Sequence, residues 1–285
     1  MSKREKISDY KDIISIPMEY KEYLPTSFDI IGKIILIKLK SETNKYEKEI
    51  AEALLKTHKN IKSVCKISSV TGELRTRNIE IIGGENSTET IHKEYGINYW
   101  LDIKKTYFSP RLANERKRIM KLVKENEIII DMFTGVAPFS ITIAKFAKPK
   151  IIYAIDKNPD AILYAKKNIT KNKLLHKIEL IKADSENAVR ILKNRNFEEK
   201  ADRIIMNLPF SAYKFFKVAL EMIKDNGVIH YYDIINSNNI NDRINMLKRE
   251  AKLKGFLIKD TKVHKIKSYS PREFYIGIDV TAKRK

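Results

Sequence analysis

The amino-acid sequence predicts an α/β fold: a doubly wound, mostly parallel sheet ending in an antiparallel hairpin, preceded by a smaller α+β domain. Three observations carry this expectation. From about residue 127 onward, short apolar runs alternate with segments of helical spacing, the pattern of parallel strands joined by crossover helices. After the fifth such strand and one more helix, two strands follow in succession, which puts a hairpin at the sheet edge. Before residue 104 the pattern is mixed, without regular alternation.

The elements follow in order. Residues 1–22 are polar and mixed and are expected to form a loosely held arm. FDIIGKIILIKL (Phe28–Leu39) reads as one strand bent at Gly32, where a side chain is least useful. Tyr46–His58 carries apolar residues at helical spacing. Ser63–Val70 and Arg77–Ile82 read as strands joined through TGELR, and Thr90–Trp100 as another extended piece. Together they make a small α+β domain over residues 23–104. In residues 105–285 the strand candidates are Glu127–Met132, Lys150–Asp156, Lys177–Lys182, Arg203–Asn207 and Gly227–Ile234. Helical segments lie between them at Ser140–Phe146, Asp160–Lys171, Glu186–Asn194 and Ala212–Lys224. The closing pair is Thr261–Lys267 and Glu273–Val280, separated by the turn-like SYSPR.

Composition narrows the class. With 285 residues and 43% hydrophobic content, the chain can bury a real core. Its net charge of +20, from 56 Lys+Arg against 36 Asp+Glu, points to a polyanionic partner. Nucleic acid comes first and an anionic membrane surface second; the bland alternative is lysine used as generic surface filler. No apolar run approaches the roughly 20 residues that span a bilayer. The beginning MSKREKISDYK lacks the apolar segment of a signal peptide, so a cytoplasmic protein without a membrane is expected. A single cysteine, Cys65, excludes an internal disulfide and a Cys-cluster zinc site. The histidines, His58, His92, His176, His230 and His264, have no ligand spacing, so no metal is expected.

In open α/β sheets, ligands sit beyond the carboxyl ends of the strands. The first strand ends in Asp131-Met-Phe133-Thr-Gly135-Val-Ala-Pro-Phe, a tight turn into a helix whose free N–H groups face a ligand. It is neither a dinucleotide G-x-G-x-x-G nor a Walker loop. The second ends in Asp156-Lys157-Asn-Pro, with an acid that can accept hydrogen bonds from ribose hydroxyls. The third ends in Asp184-Ser185, placed to reach an adenine amino group. The fourth ends in Asn207-Leu208-Pro209, where an Asn and a Pro stop a buried apolar strand. Taken singly, Asp156 and Asp184 read equally well as helix caps. Taken in order on successive strand ends, they point to S-adenosylmethionine and a class I, Rossmann-like methyltransferase domain.

Several stretches resemble the archaeal and eukaryotic tRNA (guanine-N1)-methyltransferases that act on position 37. They are GELRTR (Gly72–Arg77), GGENSTETIHKEYG (Gly83–Gly96), YFSPRLANER (Tyr107–Arg116), DMFTGVAPFSI (Asp131–Ile141), IDKNP (Ile155–Pro159), MNLP (Met206–Pro209), GVIHYY (Gly227–Tyr232) and KSYSPREF (Lys267–Phe274). They span most of the chain from Phe28 onward. Two departures stand out. Ala137 occupies the place of a usual glycine in GVGPF, and from its length the chain is expected to lack the extra N-terminal domain with which many relatives contact the tRNA elbow.

Guanine N1 carries a proton at neutral pH, so its methylation needs a base at N1 and a donor at O6, where charge builds up. The resemblance implies Glu115 as that base and Arg75 as the cation at O6. It also implies Arg116 as a cofactor contact; Tyr107 is read as an orienting group, and Asn207, from its place among the strand ends, as an orienting amide beside the methyl. Ser109-Pro110 reads as N-cap and first helical residue, which puts Arg111, Glu115 and Arg118 on one helical face. The plain alternative there is an i,i+4 salt bridge of Arg111 with Glu115. The substrate partner implied is tRNA, with a purine at position 37, and a monomeric enzyme. Rival readings are an exocyclic-amino methyltransferase, since Asn207-Leu-Pro-Phe210 fits three of four positions of its [D/N]-P-P-[Y/F]; an aminocarboxypropyl transferase of the wybutosine pathway; and a dual-specificity enzyme that also methylates the tricyclic intermediate of that pathway. A non-catalytic RNA-binding protein is the reading outside enzymology.

Overall fold

Gly32 turns the chain back on itself instead of bending one strand. This is seen in a computed structural model, which describes residues 9–71, 76–194 and 199–285. Helices α1 (Tyr10–Ile13) and α2 (Met18–Lys21) precede an antiparallel hairpin of β1 (Asp29–Ile31) and β2 (Ile34–Ile37). Gly32, with φ 58°, makes the turn, and a Cβ there would lie 2.5 Å from the Ile91 carbonyl oxygen. The predicted bent strand is therefore two strands, because a left-handed glycine reverses direction where an extended one only bends it. Tyr10 and Ile14 are buried in the same core as Leu24, so the segment from Asp9 onward is packed and is no loose arm.

Helix α3 (Glu47–Thr57) buries Ile50, Ala51, Ala53 and Leu54. It covers a four-stranded sheet of order β1-β2-β3-β4, completed by β3 (Ser63–Thr71) and β4 (Thr76–Gly84). Of the connection TGELR, residues 72–75, with Arg75, fall outside the described residues. The expected extended piece at Thr90–Trp100 is a second hairpin, β5 (Glu89–Glu94) and β6 (Ile97–Asp102). Tyr95 and Gly96 turn it with φ 49° and 78°, the paired positive values of a two-residue hairpin loop.

The chain divides into two compact units, Met1–Pro110 and Arg111–Lys285. A 3-10 turn, Pro110–Leu112, spans that boundary, and α4 (Ala113–Leu122) is the first helix of the second unit. Then β7 (Ile128–Asp131), α5 (Pro138–Phe146), β8 (Ile151–Asp156), α6 (Pro159–Lys171) and β9 (Ile178–Lys182) alternate as expected, followed by α7 (Ala188–Lys193) and β10 (Ala201–Met206). Next, α8 (Phe216–Met222) gives way at once to β11 (Ile223–Asn236). The helix predicted to Lys224 thus ends early: Ile223 is extended, buried and paired with Ala201. Helix α9 (Ile240–Leu253) leads to β12 (Phe256–Ser268) and β13 (Glu273–Arg284).

These strands form one sheet of order β12-β13-β11-β10-β7-β8-β9. From β11 to β9 neighbours run parallel, and β13 is antiparallel to both β11 and β12. The expected terminal hairpin is the sheet edge. Strand β7 and the Ile204–Met206 end of β10 are buried on both faces, as helices on both sides demand, and Ile128, Ile130, Ile204 and Met206 fill the main core with Phe216, Leu220 and Leu247. Parallel pairing then brings the carboxyl ends of β8, β7, β10 and β11 to one side.

Candidate active site

At the end of β7, Asp131 is buried, and its Oδ2 accepts from the hydroxyls of Thr134 and Ser140 at 2.9 and 2.8 Å. Its Oδ1 is buried without a hydrogen-bond partner among the described residues. Burial pushes this carboxyl up to about 6, and the nearby Asp156 charge adds to the effect against the hydroxyl bonds. An orphaned carboxylate oxygen is costly unless a donor or cation arrives, so the site suits a positively charged ligand. The chain then turns through Gly135 (φ 56°) and Ala137 (φ 66°), and Ala137 is the N-cap of α5. Phe133 meets Phe215 edge to face, with ring centroids 4.9 Å apart.

Asp156, at the end of β8, accepts the Gly135 N–H at 2.7 Å on Oδ2 and the Asn158 N–H at 2.9 Å on Oδ1. Burial raises its pKa against these N–H bonds. The cap of α6 is Asn158, whose side chain accepts from the Asp160 and Ala161 amides, so Asp156 is no helix cap. Asp184 does cap: it accepts the Glu186 N–H at 2.9 Å at the start of the 3-10 turn Ser185–Asn187, and Lys157 approaches its other oxygen at 3.4 Å. Ser185 is buried and donates to the Met132 carbonyl, tying the third strand end to the first.

At the end of β10, the Asn207 Oδ1 accepts from the Tyr275 hydroxyl. Leu208 packs on the core and Pro209 is buried. Phe210 has φ 69°, a strained value for a bulky residue, and its N–H is held by Asp233 Oδ1 at 3.1 Å. Asp233 is fully engaged, since its Oδ2 takes the Tyr231 hydroxyl at 2.8 Å and Arg243 at 3.0 Å. The Phe210 ring is 48% exposed and meets Tyr269, itself 53% exposed, edge to face at 5.7 Å.

Glu115 lies on the first turn of α4 and is only 5% exposed. Arg118 grips it with Nε on Oε2 and Nη2 on Oε1, both at 2.8 Å, and the Tyr232 hydroxyl donates to Oε1 at 2.7 Å. The partner of Glu115 is thus the i+3 arginine, not Arg111. The helix begins at Ala113 rather than at Pro110, and Arg111 stands exposed on the preceding 3-10 turn. Arg116 is among the most buried large side chains. Tyr107 is half-buried and belongs to the first unit.

The second unit therefore brings together Asp131, Gly135, Asp156, Asp184 and Asn207 as strand-end residues, and it sets Glu115 against β11 and β13. Sequence reasoning missed Tyr232, Tyr275 and Asp279, which lie in or beside GVIHYY and KSYSPREF; those stretches were visible, but nothing local assigns their side chains. It missed Asp233 too. Among the described residues, no His, Cys, Asp and Glu group could hold a metal ion, and no helix is long and apolar enough to cross a membrane.

A family model described as the TRM5/TYW2 methyltransferase domain matches residues 90–259, and one described as the TYW2 N-terminal domain matches residues 10–88. The chain is 44% identical to a tRNA (guanine(37)-N(1))-methyltransferase, Trm5b, of Pyrococcus abyssi, over 95% of this chain and 79% of that one. It is 38% identical to a tRNA(Phe) (4-demethylwyosine(37)-C(7)) aminocarboxypropyltransferase of Methanocaldococcus jannaschii, over 89% of this chain and 97% of that one. The solved complex of aTrm5 with tRNALeu superposes with a TM-score of 0.82 at 40% identity, covering 97% of this chain and 78% of that one. With its strand-end acids, its terminal hairpin and a match over more than half its length, the chain belongs to the TRM5/TYW2 methyltransferase family.

Proposed function

We propose that this enzyme transfers the methyl group of S-adenosylmethionine to N1 of guanosine 37 in tRNA, with Glu115 as general base. The observation that carries the reading is the Glu115 carboxylate, nearly buried yet with one Oε2 lone pair uncommitted among the described residues. An exocyclic amino group loses its proton after attack and needs no such base; a ring N–H must lose its proton first.

S-adenosylmethionine supplies an electrophilic methyl on a sulfonium. Asp156 and Asp184 are the candidates for its ribose and adenine, and the orphaned Oδ1 of Asp131 favours a cationic ligand nearby. Phe133, Lys157, Ser185, Leu208, Pro209 and Arg116 complete the expected cofactor set. Glu115 takes the N1 proton, and the electron pair left behind spreads towards O6, where the resemblance assigns Arg75. Asn207, with its carbonyl oxygen engaged by Tyr275, offers its NH2 to the guanine edge or to the methionine part of the cofactor. Tyr107 and Arg111 are assigned to orienting the base. The net charge of +20 and the exposed Phe210–Tyr269 pair fit a structured RNA substrate. We assign residues 23–104 to RNA positioning and residues 105–285 to catalysis, in a monomer without metal.

The test is methylation of tRNA transcripts carrying G or A at position 37, with mass spectrometry of the nucleosides. Methyl on N1 of G37, lost by about 10²–10⁴-fold in Glu115→Gln, is the expected result; full activity of that variant would overturn it. Aminocarboxypropyl transfer is the second reading, favoured by the match to a TYW2 N-terminal domain over residues 10–88. It predicts the heavier modification, on the tricyclic base only. Activity on both bases would reveal a dual-specificity methyltransferase.

A further inference from the structure

Behind Glu115 runs a buried row of charges to which the reading above gives no function. Having gripped Glu115, Arg118 reaches Asp279 on β13, with Nη1 2.6 Å from Oδ2 and Nη2 3.1 Å from Oδ1. Asp279 also meets His264 Nε2 of β12 at 3.1 Å and His230 Nδ1 of β11 at 2.5 Å. Arg203 of β10 lies 2.6 Å from His230 Nε2 and is paired with Glu127 at 3.0 Å. Side chains of β11, β12 and β13 thus meet at Asp279, and Arg118, whose Nη1 also lies 3.3 Å from His264 Nε2, ties that carboxylate to Glu115.

The proton positions follow from the donors. Arginine can only donate, so His230 Nε2 accepts, and the single ring proton sits on Nδ1, aimed at Asp279. Burial holds the His230 pKa below its usual value, so the ring stays neutral despite Asp279. Burial opposes ionisation of Asp279 too, but the bonds from His230 and Arg118 outweigh it and hold that carboxyl below the usual range. The row then alternates in sign: Glu115 negative, Arg118 positive, Asp279 negative, Arg203 positive, Glu127 negative. Arg118 is shared between two carboxylates, and only one of them faces the proposed chemistry.

We propose that Arg118, anchored by Asp279, is the positioning residue of Glu115: it fixes the carboxylate with one Oε2 lone pair left for the proton, and Asp279 moderates the field that Arg118 exerts on it. The proposal rests on Glu115 being the base. In the step, the guanine N1–H bond breaks, its electron pair stays on the base, and an Oε2–H bond forms. Arg118 is then left with Asp279 as its one ionised partner, so no unpaired cation is stranded in the interior. The proton leaves Glu115 for solvent after turnover. Besides Arg118, the groups that face the carboxylate or its arginine are Tyr232 and His230 on β11, His264 on β12 and Asp279 on β13.

The test is the pH profile of single-turnover methylation at saturating S-adenosylmethionine. Arg118→Gln removes a cation in contact with the carboxylate, so the acid limb moves up by about one to two pH units. Asp279→Asn removes the competing anion, so the limb moves down, by less. Arg118→Lys keeps the charge but loses the two-toothed grip; its limb stays in place while kcat falls roughly tenfold with KM unchanged. Calorimetric affinity for S-adenosylmethionine, unchanged in all three, certifies the fold, and Arg118→Lys and Asp279→Asn suffice if Arg118→Gln does not fold. Opposite shifts from the two neutralising variants support the proposal, because a purely structural ion pair would not produce them. An inactive Glu115→Gln combined with wild-type acid limbs in the neutralising variants overturns the proposal alone. An active Glu115→Gln overturns the base assignment beneath it.

Discussion

The hydroxyl of Tyr275, a buried residue near the start of β13, donates to the Asn207 side-chain oxygen at the end of β10. Strand β11 lies between β10 and β13, so this bond reaches across a whole strand and joins residues 68 positions apart. It engages the oxygen of the Asn207 amide, the half that the proposed reading does not offer to a ligand. Replacing Tyr275 by Phe keeps the buried ring and removes only the donor. We expect kcat to fall about tenfold and stability by about 1 kcal/mol, the net worth of one hydrogen bond. Steady-state kinetics beside thermal unfolding would check this; wild-type kcat with a lowered Tm would make Tyr275 a packing residue only.

Asp131 makes the stability of the ligand-free protein depend on pH. Its folded carboxyl stands at about 6 against an unfolded value of 3.8. The folded state therefore binds the proton more tightly, and the associated stability is fully present below about pH 4 and is lost as pH rises through 6. The loss is on the order of 2–3 kcal/mol. Asp131→Asn cannot titrate and should flatten that part of the curve, while weakening S-adenosylmethionine binding near neutrality. Thermal melts between pH 4 and 7 provide the comparison, and an unchanged slope in the variant would refute the assignment.

The strand-end acids were legible because each depends on its own strand: an apolar run, an acid, then a turn. Asp131, Asp156 and Asn207 could be placed from local pattern and strand order alone. The groups that hold the site together were not legible for the opposite reason. Glu115 and Tyr232 are 117 positions apart and Arg118 and Asp279 are 161 apart; they meet only because β11 and β13 pair in one particular order. The helical-face argument put Arg111, Glu115 and Arg118 on one face with the helix starting at Pro110; Arg118 does meet Glu115, but Arg111, the partner of the plain alternative, sits on the 3-10 turn before the helix. The two hairpins read as single extended pieces failed on positive φ at Gly32 and Tyr95-Gly96, which alternation of side chains does not register. The boundary of α8 failed because Ile223 continues an apolar pattern that suits helix and strand alike.

Ala137 stands in the left-handed region, with φ 66° and ψ 39°, and is completely buried. An L-residue there costs about 1–2 kcal/mol, which a glycine would not. Glycine, however, gives up a buried methyl worth about 0.8 kcal/mol and has more backbone freedom to lose. Ala137→Gly is therefore expected within about 1 kcal/mol of wild type. Ala137→Val adds a β-branched side chain to a left-handed, filled position and should lose about 3 kcal/mol with a large drop in cofactor affinity. Chemical denaturation of both variants checks the pair. A strongly stabilised glycine variant would mean that the buried methyl contributes nothing to the loop.

Phe210 holds a strained backbone and presents an aromatic ring to solvent two residues after Leu208, with Asp233 fixing its N–H. Strain of this kind persists only where the surroundings impose it, and here it keeps the ring beside Tyr269. If the ring stacks on a base of the RNA, losing it should cost about 1–3 kcal/mol of tRNA binding. Phe210→Ala is expected to weaken tRNA binding roughly tenfold while leaving S-adenosylmethionine affinity unchanged. Phe210→Gly separates ring from strain: it removes the same ring but is at ease with φ 69°. Equal losses in both variants, measured by filter binding at one fixed salt concentration, assign the effect to stacking. Binding that survives in the glycine variant would assign it to the loop conformation instead, and the ring would then have no part in recognising RNA.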